Sequence, residues 1–450
     1  MCPKKRALII SSVPITHFGN LGADRVSALE EYGYKVDYLT KYQHEDHHVI
    51  GVYPAPSVKG YRKILKSRLP GPVVNILRKF CPFLFPKDNY IRGNGIVITS
   101  VCEDTPAVDN DTLLSLIEPI YSFVFVLAWQ DMITSRSLKA IYEKLKVPII
   151  LTLVDFQPIT GGCYYFGDCR NFENGCGNCP ALDRNVINDL TRQNFQIKKE
   201  IYNSINCGFL VNPYSLDFIQ KTKILSEDRL QLAYYSMNEN LYRPLDKPVS
   251  RDYFDIEKNK KYVILSRFTS VDHERKGYAY LLATINKFAE IIGIRKEEVI
   301  LLLAGGKDET FERKFNVDVL NVGMLSVEDL IKAYSAADIF LSSSIDDAGP
   351  SMVNQSIMCG TPVLSFNIGS ALYMVDNGQT GYRVPLKDVD AMTNSLVEHF
   401  NLTDEERKVI RDNCRNKGLE TGSRGMFAKR LVSFAEKLAN SDFHNNNKRI

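Results

Sequence analysis

The chain has 450 residues, 44% of them hydrophobic and 24% charged, with a net charge of +3. That length exceeds one compact core and predicts two domains of roughly 200 residues each, while the composition excludes a disordered chain. So small a net charge also excludes a global field for nucleic acid, and any basic function must be local.

The first residues, Met1-Cys-Pro-Lys-Lys-Arg6 and the apolar run 7–12, have the outline of a signal peptide. The run is short, gives way to Pro14, His17 and Gly19, and has no small-residue cleavage site, so it reads as a first buried strand. No stretch approaches the ~20 apolar residues of a spanning helix; residues 121–129 come nearest and are too few. The expected location is cytoplasmic, with the ten cysteines as thiols or metal ligands before disulfides. After the strand 7–12, residues 17–22 read as a glycine-containing loop, 25–32 as a helix stopped at Gly33, and 35–40 as a second strand. Residues 95–100, 123–128 and 147–153 are short apolar runs alternating with helical patterns such as 135–145. Such runs predict parallel strands covered on both faces. This gives an α/β domain over 1–213, followed by a linker region over 214–260. A second alternation follows: strands at 262–266, 299–304, 339–343 and 362–366, with helices at 278–292, 327–336 and 352–359. It predicts a second doubly wound domain over 261–420, then a terminal helix and frayed tail over 421–450.

The most informative segment is Ser342-Ser-Ser-Ile-Asp-Asp-Ala-Gly-Pro-Ser-Met-Val-Asn-Gln-Ser-Ile-Met-Cys-Gly-Thr-Pro-Val363. A strand ends, a Gly-Pro turn follows, and a helix begins. Unpaired N–H groups and a partial positive charge at such a helix start can hold a diphosphate. Taken alone, the turn reads as a helix cap of any α/β protein. Its surroundings add Ser266-Arg267, Lys276-Gly277, Gly305-Gly306, Val322-Gly323, Ala336-Ala-Asp338, Gly369, Asn377-Gly378 and Thr380-Gly381-Tyr382. Together these residues resemble the C-terminal signature of retaining glycosyltransferases of family 4, over residues 262–390 with strong spacing agreement and more loosely elsewhere.

The resemblance implies the GT-B fold, two Rossmann-like α/β domains facing across a cleft, and a metal-independent hexosyltransferase-type enzyme. By it, Arg267, Lys276 and Asp347 are the expected catalytic residues, with the two cations stabilising the departing diphosphate. Gly19, Gly22, Asp346, Gly349, Pro350, Ser351, Met352 and Gln355 are the expected donor-binding residues. The family carries two glutamates eight residues apart; here the second falls on Gln355, and the first on Asp347 or Asp346. Glutamine keeps an acceptor for ribose hydroxyls but not the charge. The N-terminal domain is expected to select the acceptor, with His17 and Asp155 on the acceptor side. The triplets Asp109-Asn-Asp111 and Asp388-Val-Asp390 read as helix caps, and no catalytic cofactor is expected.

Four cysteines, Cys163, Cys169, Cys176 and Cys179, lie close together with Gly167, Gly175 and Gly177 among them. The spacing suits a tetrahedral structural metal, zinc first and an iron–sulfur cluster as the alternative, against disulfides or free thiols. A family 4 subgroup looks similar here but often adds histidines where this chain has Val154 and Tyr164. Residues 59–87 hold eight Lys or Arg and no acid among aromatic and aliphatic residues. That composition suits contact with an anionic membrane surface and equally a solvated basic face; nucleic acid is not expected. The expected partners are a UDP- or GDP-sugar donor and a saccharide or lipid-linked acceptor, in bacterial surface polysaccharide synthesis. The competing expectations are a GT-B epimerase, a phosphorylase, and a binding subunit without transferase activity.

Overall fold

The computed structural model describes residues 5–15, 17–42, 49–53, 90–93, 96–99, 101–182, 186–268, 274–347, 349 and 351–441. They form two compact units: Met1–Leu210 with Phe218–Gln231 and Ser433–Ile450, and Val211–Asp217 with Leu232–Val432. The basic stretch 59–87 and most of the tail lie outside the described residues.

The first unit is built on a seven-stranded sheet. In chain order its strands are β1 (Arg6–Ser11), β2 (Lys35–Tyr42), β3 (Val49–Tyr53), β6 (Phe123–Ala128), β7 (Ile149–Thr152), β9 (Cys207–Val211) and β10 (Leu230–Leu232). They lie in the order β10-β9-β7-β6-β1-β2-β3, and the pairs from β9 through β3 are parallel. β6 is buried at every residue, as a strand covered on both faces must be. A separate antiparallel sheet joins β4 (Tyr90–Gly93), β5 (Ile96–Thr99) and β8 (Cys163–Tyr165).

Two expectations are corrected here. The segment 95–100 does not join the parallel sheet, because β5 pairs antiparallel with β4, with Gly93 opposite Ile96. The loop expected at 17–22 is the start of a helix, His17–Glu31. Gly22 serves close packing there: a Cβ would stand 2.8 Å from both the Ile15 carbonyl oxygen and the Tyr38 hydroxyl.

The second unit holds a six-stranded parallel sheet of β11 (Tyr262–Phe268), β12 (Val299–Gly305), β13 (Asp318–Gly323), β14 (Ile339–Ser342), β15 (Val363–Phe366) and β16 (Gly381–Val384). Their order is β13-β12-β11-β14-β15-β16. Alternate residues of β11 feed opposite cores, Val263 and Leu265 into one and Tyr262 and Ile264 into the other, which is the period-two signature of a doubly covered strand. The helices expected at 278–292 and 327–336 form as Tyr278–Ile292 and Val327–Ala336. The linker region is not bare. It contains the helices Pro213–Thr222 and Lys247–Tyr253 as well as β10. Asp338, at the start of β14, is buried between Lys247 at 2.6 Å and Arg251 at 2.7 Å and also accepts the Val263 N–H at 2.7 Å. Burial opposes its charge, but the two cations prevail and hold its carboxyl below the usual range. The terminal helix Arg424–Ala439 joins the first unit from Ser433 onward, where Phe434 packs over Gly208 and the Leu438 carbonyl accepts from Asn206 at 2.9 Å.

Candidate functional site

In the second unit, β11 and β14 end side by side, and the loops after them carry most of the expected donor residues. Arg267 sits on β11, and Lys276 ends the single-turn helix Glu274–Lys276. Gly277 lies at φ +65, where a Cβ would meet the Ser343 carbonyl oxygen at 1.9 Å, so only glycine lets this turn lie on the end of β14. Three bonds fasten the contact. Ser343 Oγ donates to the Lys276 carbonyl at 2.9 Å, and the Ile345 and Asp346 N–H groups donate to the Arg275 carbonyl at 2.8 and 3.4 Å.

This lacing brings Lys276 Nζ to 2.8 Å from Asp347, with Arg275 Nη1 3.6 Å from the same oxygen. The other Asp347 oxygen accepts the Gly349 N–H at 3.2 Å. Gly349, at φ +151, faces Ser370 Oγ and Asn212 Nδ2, which a Cβ would approach to 3.3 and 3.5 Å. Pro350 lies outside the described residues, and Ser351 opens the helix Ser351–Met358. One cavity is lined by Ser266, Arg267, Lys276, Ser342–Ser344 and Met352. In it the buried Ser342 Oγ has no hydrogen-bond partner among the described residues, a polar atom available to a ligand. Gln355 is buried, and its carbonyl oxygen accepts from Arg267 Nη1 at 3.0 Å. The structure thus gathers Arg267, Lys276, Asp346, Asp347, Gly349 and Gln355 around neighbouring loops. No sequence signal pointed to Tyr242 and Tyr334, which bond to Gln355.

In the first unit, Asp155 follows β7 and is 9% exposed. It accepts the Gln157 N–H at 2.9 Å and Gln130 Nε2 at 2.7 Å. Burial, only partly offset by these bonds and by Lys198, pushes its carboxyl up to about 7. A cavity at the C-terminal ends of β6 and β7 is lined by Trp129, Gln130, Thr152, Val154 and Pro158, the end where open α/β sheets hold ligands. His17 and Gly19 lie in the first turn of the helix His17–Glu31, their side chains outside the described residues.

Cys163, Cys169, Cys176 and Cys179 are all free thiols. Burial first, then the other three thiols, push Cys163 upward. Among the described residues no three of His, Cys, Asp or Glu are gathered as a metal-holding group. Other contacts hold the loop. The Asp189 carboxylate accepts the Cys179 N–H at 2.8 Å and the Thr191 N–H at 2.9 Å. Gly161 N–H donates to Cys176 Sγ at 3.1 Å, and Phe166 packs on Phe156 and Phe172 with centroids 4.7 and 4.6 Å apart. Both Asp-x-Asp triplets act as caps: Asp109 accepts from the Thr112 N–H at 2.8 Å and Asp388 from the Ala391 N–H at 2.9 Å.

Two parallel sheets flanked by helices place the chain in the GT-B fold class, and a polar, cation-lined cavity lies beyond the strand ends of the second. Residues 259–401 match the family Glycosyl transferases group 1. The fold matches a sucrose-phosphate synthase from Thermosynechococcus elongatus at 16% identity and TM-score 0.63, covering 97% of this chain and 99% of that one. It also matches a glycosyltransferase from Rickettsia africae at 14% identity and TM-score 0.62, over 98% and 100% of the two chains. Anabaena HepE in complex with UDP and glucose matches at 12% identity and TM-score 0.59, over 96% and 99%. No curated protein matches the sequence. No helix among the described residues is long and apolar enough to cross a membrane.

Proposed function

We propose that this chain transfers a sugar, with retention of anomeric configuration, from a UDP- or GDP-sugar to a saccharide acceptor. The observation that carries the reading is the placement of Arg267 and Lys276 in the wall of one cavity, beside the first turn of the helix Ser351–Met358. All of them lie in the segment that matches glycosyltransferases. The bond from the sugar C1 to the diphosphate oxygen breaks, and its electron pair stays on the diphosphate. The acceptor oxygen bonds C1 on the same face, and its proton passes to the departing phosphate. Arg267 and Lys276 stabilise the charge that grows on that phosphate, while Asp347 positions Lys276. Asp155, about half-protonated near pH 7 in its buried setting, serves in the first unit as a partner for acceptor hydroxyls. The complex of HepE with UDP and glucose favours a uridine donor. A lipid-linked acceptor and a role in surface polysaccharide synthesis rest on the basic, aromatic-rich sequence 59–87. A second reading, a binding subunit without transferase activity, is favoured by the neutral Gln355.

Saturation-transfer NMR against UDP-, GDP- and ADP-sugars, repeated with Lys276→Ala, tests the proposal. Binding of one nucleotide class that disappears in the variant is expected. No binding at millimolar concentration would sink the catalytic reading.

A further inference from the structure

Gln355 occupies the position where the resemblance sets a ribose-reading glutamate, yet it is only 4% exposed and its hydrogen bonds turn inward. Its carbonyl oxygen accepts from Arg267 Nη1 at 3.0 Å and from the Tyr334 hydroxyl at 3.2 Å. Its amide donates to the Tyr242 hydroxyl at 3.3 Å. Both lone pairs of the carbonyl oxygen are therefore used, and one amide N–H remains. Tyr242 and Tyr334 are fully buried, and burial pushes the Tyr334 phenol up to about 12, so it donates at neutral pH. Position 355 must supply an acceptor that meets two donors at once.

A carboxylate would meet the same geometry, with Tyr242 turning its hydroxyl to donate. The difference is charge. Lys276 is already ion-paired with Asp347, whereas the partners of Arg267 among the described residues are the neutral Gln355 oxygen and the neutral Tyr334 phenol. Arg267 lines the cavity, and no carboxylate among the described residues pairs with it. A glutamate here would neutralise it in a half-buried setting where screening by water is weak.

We propose that Gln355 is a positioning residue, holding Arg267 as an un-neutralised cation for the donor's diphosphate rather than reading the ribose. The role rests on the donor-site reading above. It explains why a neutral amide suits this position: the network fixes the guanidinium without cancelling the charge that the leaving group needs.

The test compares the affinities of UDP and 2′-deoxy-UDP for the full-length protein by titration calorimetry, with the guanosine pair in their place if the sugar panel selects GDP. The variants are Gln355→Glu, Gln355→Met, Arg267→Met and the double variant Gln355→Glu/Arg267→Met, each checked by its melting curve. Gln355→Glu is expected to weaken UDP about tenfold or more. Gln355→Met, which frees Arg267 without neutralising it, is expected to weaken UDP by a smaller factor. Both are expected to leave the ratio of UDP to 2′-deoxy-UDP affinity unchanged. In the Arg267→Met background, Gln355→Glu is expected to change UDP affinity less than twofold. A purely structural role would produce neither the charge dependence nor this coupling. A collapse of the ribose-to-deoxyribose ratio in either Gln355 variant, with full effect in the Arg267→Met background, would overturn the proposal in favour of ribose reading. A wild-type protein that binds none of these nucleotides would instead sink the donor-site reading, and this role with it. Should Gln355→Glu fail to fold, Gln355→Met and its ratio decide the matter.

Discussion

Asp155 offers the sharpest test of the first unit. Its carboxyl ionises near 7 in the folded protein and near 3.9 in an unfolded chain. The folded state therefore holds a proton between about pH 4 and 7 that the unfolded state has released, and stability falls as pH rises through that window. Three pH units at 1.36 kcal/mol each amount to about 4 kcal/mol, fully present below pH 4 and lost above pH 7. Asp155→Asn removes the titration. The new amide still accepts from the Gln157 N–H but sets its own NH2 against Gln130 Nε2. Gln130 cannot turn freely, because its oxygen accepts the Trp129 N–H at 3.1 Å. The lost bond costs about 1–2 kcal/mol at every pH. The variant is thus expected to be less stable than the wild type at pH 4, equal near pH 5, and about 3 kcal/mol more stable at pH 8. Urea unfolding followed by tryptophan emission reads this directly, since the chain's single tryptophan, Trp129, is buried in the same unit. A difference between the two proteins that keeps its sign and size from pH 4 to 8 would refute the reasoning. An acid held half-protonated near neutrality at some cost in stability is the kind of group that functional sites retain.

Further outcomes follow from the second unit. Asp347→Asn releases Lys276 from its ion pair and is expected to tighten free UDP roughly fivefold, about 1 kcal/mol; unchanged affinity in a titration would count against Lys276 as a diphosphate ligand. Gly277→Ala forces a Cβ onto the Ser343 carbonyl oxygen at a φ that only glycine adopts easily. It is expected to cost about 2 kcal/mol or more and to abolish nucleotide binding, as read from melting curves and titration together. Asp338→Ala strands Lys247, Arg251 and the Val263 N–H and is expected to cost about 3–5 kcal/mol in denaturant unfolding. Because its carboxyl is held low when folded, the wild-type stabilisation is present above the ordinary aspartate range and lost as pH falls below it, a loss that the variant no longer shows.

The sequence by itself determined the two α/β units and most of their strands and helices. Apolar runs such as β6 and β12 must be covered on both faces, and amphipathic stretches such as 327–336 present one face to a core. Arg267, Lys276, Asp347 and Gly349 were pointed to by the resemblance of residues 262–390 to family 4 glycosyltransferases, since local signals alone read as ordinary turns and helix caps. What local signals cannot hold is the choice of partner. Arg267 and Gln355 are 88 residues apart, and Lys276 and Asp347 are 71 apart. Only the packing of β11 against β14 set those side chains in contact, placing the Gln355 oxygen against Arg267 and Asp347 against Lys276. The same holds for the first unit. The cysteine loop is fastened by Asp189, the Gly161 N–H and a group of phenylalanines, partners that cysteine spacing does not name. Burial, which no spacing reports, moved Asp155 to near-neutral ionisation.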